Sequence, residues 1–142
     1  MTNAAFELNN LRGVLLPITT PFRSGGVDHD ALRANLDRWT TTGIAGYVVL
    51  GSTGERVHLD EAEYLDVIET AREVVPRSMS FIVGAGQQST VGTIKEITKA
   101  AAAGADAVLV SNCDARSSAS RLRSIYREAR SSRSQQPPAR TP

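Results

Sequence analysis

Ile44-Ala45-Gly46-Tyr47-Val48-Val49-Leu50-Gly51-Ser52-Thr53-Gly54-Glu55 is the stretch whose reading decides the fold. Residues 44–50 are apolar with no polar alternation. A strand buried on both faces reads this way, as in a parallel sheet. The turn that follows carries two glycines, two hydroxyls and one carboxylate.

Upstream, Gly43 stands where a helix would end with a residue at positive φ. Leu32, Leu36 and Trp39 recur at helical spacing before it, and Asp28 is placed to cap that helix. Further back, Val14-Leu15-Leu16-Pro17-Ile18 reads as another buried strand. Thr19-Thr20-Pro21-Phe22 and a turn at Gly25-Gly26 follow it. Downstream, Asp60 and Glu63 have capping-box spacing, and Leu59 and Tyr64 are spaced as a hydrophobic staple. Tyr64, Val67, Ile68, Ala71, Val74 and Val75 form one apolar stripe ending at Pro76. Phe81-Ile82-Val83 is a third strand. Ser89 or Thr90 caps a third helix with Ile94, Ile97 and Ala101 turned inward, and Gly104 ends it. Ala107-Val108-Leu109-Val110 is a fourth strand. The order β-α-β-α-β-α-β, with strands starting near residues 14, 45, 80 and 105, predicts a parallel sheet with crossover helices. A (β/α)8 barrel and an open doubly wound sheet both satisfy it.

After Val110 the pattern stops. Residues 111–142 hold eight Ser, seven Arg and three Pro. Residues 1–110 carry 9 Lys+Arg against 13 Asp+Glu, a balance of −4, whereas residues 111–142 carry 7 Arg against 2 acids, a balance of +5. The 142-residue chain therefore divides into an α/β part over 11–110 and an Arg/Ser/Pro-rich tail over 111–142. Leu122, Ile125, Tyr126 and Ala129 allow one marginal helix in that tail, and residues 135–142 read as disorder. So abrupt a shift is what an out-of-frame read of GC-rich coding sequence tends to produce, so the tail is expected to be out of frame or divergent.

In a parallel α/β fold, ligands bind at the carboxyl ends of the strands. The turn at residues 51–55 falls there. Glycines let backbone approach a ligand closely. Amides and hydroxyls of such a turn can converge on a carboxylate or phosphate. A plain hydrophilic loop has the same composition, and spacing alone leaves both readings open.

Thr19-Thr20-Pro21-Phe22, Gly51-Ser52-Thr53-Gly54-Glu55, Val83-Gly84-Ala85-Gly86 and Gly104-Ala105-Asp106 stand in the order and spacing of one family. Over residues 11–110 the chain resembles the N-terminal half of the dihydrodipicolinate synthase / N-acetylneuraminate lyase family of class I aldolases. The resemblance implies an incomplete (β/α)8 barrel of about four βα units. It implies that Ser52 and Thr53 bind the carboxylate of pyruvate or another 2-oxo acid, with Gly51, Gly54 and Glu55 supporting the loop. It implies a lyase that joins or splits a carbon–carbon bond through a lysine Schiff base, without metal or diffusible cofactor. Intact relatives are expected to be cytoplasmic homotetramers. The family's lysine belongs on a sixth strand and its tyrosine motif after the fourth and on the fifth. Here Ser111-Asn112-Cys113-Asp114 stands after the fourth strand, and the chain's two lysines, Lys95 and Lys99, flank Glu96 on the third helix. No catalytic residue is therefore assigned, and the chain is expected to be a truncated member, inactive alone. A half-barrel that assembles with a second half, and an open-sheet nucleotide binder, are the alternatives.

The remaining candidates read blandly. Reactive cysteines need an electropositive setting, and none is visible at Cys113, the one cysteine, which suits a reducing cytoplasm. His29 and His58 precede helices without metal-ligand spacing and read as surface residues. Gly84-Ala85-Gly86-Gln87-Gln88-Ser89 lacks the third glycine of a dinucleotide fingerprint. The Arg-rich tail has too little aromatic interleaving to suggest nucleic acid. No apolar run approaches the roughly 18 residues of a membrane helix, and residues 1–10 show no signal-peptide pattern.

Overall fold

The computed structural model describes residues 11–110. Four strands, β1 (Leu15–Pro17), β4 (Gly46–Val49), β5 (Ser80–Ala85) and β6 (Ala107–Val110), form one parallel sheet in that order. A small antiparallel hairpin of β2 (Phe22–Arg23) and β3 (Gly26–Val27) follows β1. Ser24 and Gly25 both take positive φ at its tip, as a primed hairpin turn requires. Three helices, α1 (His29–Thr40), α2 (Glu61–Val74) and α3 (Thr90–Ala102), connect the strands of the sheet.

The order of the sheet separates the two architectures left open by the sequence. A doubly wound sheet places its first strand inside and reverses direction at a switch point. Here the strands follow one another in chain order from β1 at one edge to β6 at the other. That is the single winding of a (β/α)8 barrel. The described residues supply three βα units and the strand of a fourth.

Local signals explain the helices. Asp28 caps α1 by accepting from the Ala31 amide at 3.0 Å. Asp60 and Glu63 form the reciprocal capping box of α2. Ser89 caps α3 through the Gly92 amide. Gly43 and Gly104, at φ 80° and 90°, turn the chain from α1 and α3 toward their next strands.

The core lies between sheet and helices. Tyr47, Val49, Phe81 and Val83 face Leu32, Leu36, Val67, Ile68, Ala71 and Ala100. Register aligns Leu16, Tyr47 and Phe81 in one row and Val49, Val83 and Val108 in another. Burying such side chains fully contributes about 1.5–3 kcal/mol each. β4 and β5 are buried throughout, which explains why residues 44–50 show no alternation.

One expectation is corrected. On α3 the buried residues are Thr93, Glu96 and Ala100, while Ile94, Ile97 and Ala101 lie half-exposed on the flank. Polar bonds turn the helix: the Thr93 hydroxyl accepts from the Gln87 amide and Glu96 accepts from the Gly86 amide. The readings for residues 111–142, including Cys113 and the Leu122/Ile125/Tyr126/Ala129 stripe, lie outside the described residues.

Two glycines are fixed by close backbone approach. A Cβ on Gly84 would stand 1.9 Å from the Leu50 carbonyl oxygen, and one on Gly46 would stand 2.2 Å from that of Ser80. Gly84→Ala should therefore destabilise the fold by about 3 kcal/mol or more. Gly26, with open space around it, is the control. Gly26→Ala should stay within about 0.5 kcal/mol of the parent. Urea denaturation of both variants checks the contrast.

Candidate functional site

Parallel strands place their following turns at one end of the sheet. The turn after β4 is a short 3-10 turn, Ser52–Gly54, followed by a second, Arg56–His58. The residues at positive φ are Leu50 (58°) before the first turn and Glu55 (54°) between the two. The glycines do something else. Gly51 is extended, and Gly54 gives room, since a Cβ there would come 3.2 Å from the Ile18 carbonyl oxygen. The unusual dihedrals of the loop thus fall on Leu50 and Glu55, not on its two glycines.

Non-glycine residues at positive φ cost roughly 1–2 kcal/mol each, so surrounding bonds must hold them. The Gly54 amide donates to the Gly51 carbonyl at 3.0 Å and the Glu55 amide to Ser52 at 3.2 Å. The buried Thr20 hydroxyl donates to the Gly54 carbonyl at 2.7 Å. That bond joins the Thr19-Thr20-Pro21-Phe22 motif to the turn. Ser52 and Thr53 remain exposed at the rim, as does Glu55. The arrangement offers two hydroxyls, and the amides ahead of those that close the turn, to an anion arriving at the carboxyl end of β4.

Beneath the turn lies a charged pair. Arg56 and Glu96 are 8% and 5% exposed and form an ion pair through Arg56 Nη2 and Glu96 Oε1. Arg56 Nη1 donates to the Leu59 carbonyl at 3.0 Å. Glu96 Oε2 accepts from the Gly86 amide at 2.8 Å, and Gln87 Nε2 donates to Oε1. The guanidinium also sits 4.3 Å from the centre of the Tyr64 ring. The Tyr64 hydroxyl donates to the Gly84 carbonyl at 3.0 Å. Burial lowers the pKa of Arg56, with the Tyr64 hydroxyl acting the other way, yet an arginine stays charged. Burial raises that of Tyr64 to about 12, against the pull of Arg56. Removing one partner of a buried pair costs about 3–5 kcal/mol, because the other charge is left unmet.

Thr20, Tyr64, Arg56 and Glu96 were not singled out as site residues from sequence. Thr20 and Tyr64 stood in a motif and an apolar stripe. Arg56 and Glu96 gave no signal, since charged residues are read as surface unless a partner is known, and theirs lie 40 positions apart. The two lysines fall on the outside of α3: Lys95 is exposed, and Lys99 pairs with Glu61. His58 is exposed, and His29, half-buried, shares a hydrogen bond of 2.8 Å with Thr70. Among the described residues no group of three His, Cys, Asp or Glu could hold a metal ion, and no helix is long and apolar enough to cross a membrane. A groove of about 400 Å3 between α1 and α2 is lined by His29, Arg33, Asp66, Glu69, Thr70 and Glu73, none of them in the turn. The glycine-rich stretch at residues 84–89 serves backbone packing and the cap of α3.

A sequence profile of the dihydrodipicolinate synthetase family matches residues 10–113. The 4-hydroxy-tetrahydrodipicolinate synthases of Phenylobacterium zucineum and Geobacter sulfurreducens are each 38% identical over 99 residues, covering 70% of this chain and 34% of theirs. The chain thus spans about a third of the length of the curated relatives it matches. Among solved structures, a crystal structure of a dihydrodipicolinate synthase superposes with a TM-score of 0.77 at 32% identity, covering 85% of this chain and 43% of that one. The 4-hydroxy-tetrahydrodipicolinate synthase of Methylacidiphilum fumariolicum SolV gives 0.78 at 29% identity, covering 85% and 41%.

The buried phenol makes the fold sensitive to alkali. Tyr64 ionises at about 12 when folded and near 10 when unfolded. A folded pKa raised above the unfolded one gives stability that is whole below about pH 10 and is lost as pH rises toward about 12. The loss should reach roughly 2–3 kcal/mol at about 1.4 kcal/mol per unit. Urea denaturation across that window should show it, and Tyr64→Phe should flatten the slope.

Proposed function

The chain belongs to the dihydrodipicolinate synthetase family, and from that premise we propose that Ser52 and Thr53 bind the carboxylate of pyruvate or a related 2-oxo acid. The observation that carries this reading is the turn itself. It stands at the carboxyl end of a buried strand of a partial (β/α)8 barrel, with both hydroxyl side chains exposed and its backbone held by Thr20. In such barrels, ligands are met by the βα turns at that end. Hydrogen bonds to an ionised group are stronger than neutral ones, which suits a rim of hydroxyls and amides to a carboxylate.

The reaction of this reading is a Schiff-base lyase or aldolase step. A lysine amine adds to the keto carbon and water leaves, and the resulting iminium draws electrons from the adjacent carbon. The chain's two lysines do not suit that role, being on the outer side of α3. Residues 11–110 then form the carboxylate-binding half of the site, and the reacting amine and the relay tyrosine come from outside residues 11–110. The compartment is the cytoplasm, and relatives of full length work as homo-oligomers. A second reading rests on the sheet edges. Among the described residues β1 pairs with β4 alone and β6 with β5 alone, so a complementary half could complete eight strands. Size-exclusion chromatography distinguishes the two: a discrete, cooperatively melting dimer supports assembly, and a monomer or an aggregate counts against it.

Pyruvate added to the 15N-labelled chain should move the Ser52 and Thr53 amide resonances, and the neutral analogue pyruvamide should not. Ser52→Ala and Thr53→Val should each weaken binding about tenfold, as loss of a hydrogen bond to a charged group predicts. Equal shifts with pyruvamide, or none with pyruvate, overturn the carboxylate site. Borohydride with pyruvate should leave Lys95 and Lys99 unmodified, and an adduct on either, seen by mass spectrometry, overturns the assignment of the amine to another chain segment.

A further inference from the structure

We propose that the buried Arg56–Glu96 pair is the positioning device of the turn, holding Ser52 and Thr53 in place from beneath. Arg56 directly follows Glu55, whose φ of 54° puts it in the left-handed region between the two 3-10 turns. From there its side chain runs inward and makes three anchorages. Nη1 bonds the Leu59 carbonyl and closes the second 3-10 turn. Nη2 reaches Glu96 on α3. The guanidinium face lies on the Tyr64 ring of α2. Glu96 continues the path to the next strand by accepting from the Gly86 amide, just past the end of β5. The turn after β4 is thereby tied to the turn after β5 and to two helices.

Electrostatics argues that the pair is there for geometry. An ion pair this buried stabilises a fold little more than apolar residues of similar volume would, because both charges lose their hydration. What it adds is direction. A guanidinium donates along fixed lines, and a carboxylate with donors on both oxygens has one orientation to take. Neither residue is open at the rim where Ser52 and Thr53 are exposed, so both act through the turn and are positioning residues.

This role deepens the carboxylate reading and rests on it for its purpose, although the two fail separately. Glu96→Gln keeps the size of the side chain and removes the charge. In the ligand-free chain it should speed solvent exchange of the Gly54 and Glu55 amides, which close the turn, by about tenfold, the loss of one charge-assisted hydrogen bond. The Leu36 amide in α1 reports the rest of the fold; whatever the unmet charge costs the fold as a whole shows there, and the tenfold at Gly54 and Glu55 is read as the excess over it. The pyruvate dissociation constant should rise about tenfold with it. Arg56→Lys keeps the positive charge but loses the fork, and should move the same amides. Exchange at Gly54 and Glu55 that is unchanged, or that rises in step with Leu36, overturns the proposal. If Glu96→Gln does not fold, Arg56→Lys is read by the same comparison. If neither folds, the pair serves the whole fold and the proposal fails. Should the parent chain give no pyruvate shift at Ser52 and Thr53, the carboxylate reading falls, while the exchange comparison still decides the positioning.

Discussion

The carbonyl oxygen of Leu50 occupies the space that a side chain on residue 84 would need. β4 ends there, and Leu50 takes a left-handed conformation to turn the chain. With hydrogen as its side chain, Gly84 lets β5 close against this corner. Its own carbonyl accepts from Tyr64 of α2. Strand, turn and helix therefore meet at one backbone position. The turn that follows is set over the end of β5, within reach of the β5–α3 connection.

A second constraint follows from the first. Once the turn is placed, Arg56 falls inside the protein, and a buried charge must be met. Glu96, on the inward face of α3, meets it. The face presented inward carries Thr93, Glu96 and Ala100, and the isoleucines move to the flank. Hydrophobic patterning would orient the helix otherwise. An arginine left unpaired under the turn would cost more than the partial exposure of Ile94 and Ile97.

The same physics sets different demands on the two halves of the proposed reaction. Binding a carboxylate asks for amides and hydroxyls held still, and in our proposal the turn on β4, tied down by Thr20 and by Arg56 and Glu96, meets that demand. Attack on a keto carbon asks for an uncharged amine at the same mouth. The lysines on α3 are solvated or paired with Glu61, on the outer side of that helix. The chain covers about a third of the length of the related synthases.

The sequence by itself determined the identity and caps of the elements. The capping box of Asp60 and Glu63, the cap at Asp28, the positive φ at Gly43 and Gly104, and the buried character of residues 44–50 all depend on neighbours a few positions away. Residue type and spacing report such neighbours directly. The family motif also located the turn. Tertiary structure alone decided the winding of the sheet, which two architectures shared in pattern. It decided that Leu50 and Glu55, and not the glycines, carry the strained backbone. It decided that Thr20 bonds Gly54 and that Arg56 meets Glu96, partners 34 and 40 positions apart. Periodicity measures how apolar a face is. Whether a polar side chain turns inward depends on a partner that the chain brings near only by folding.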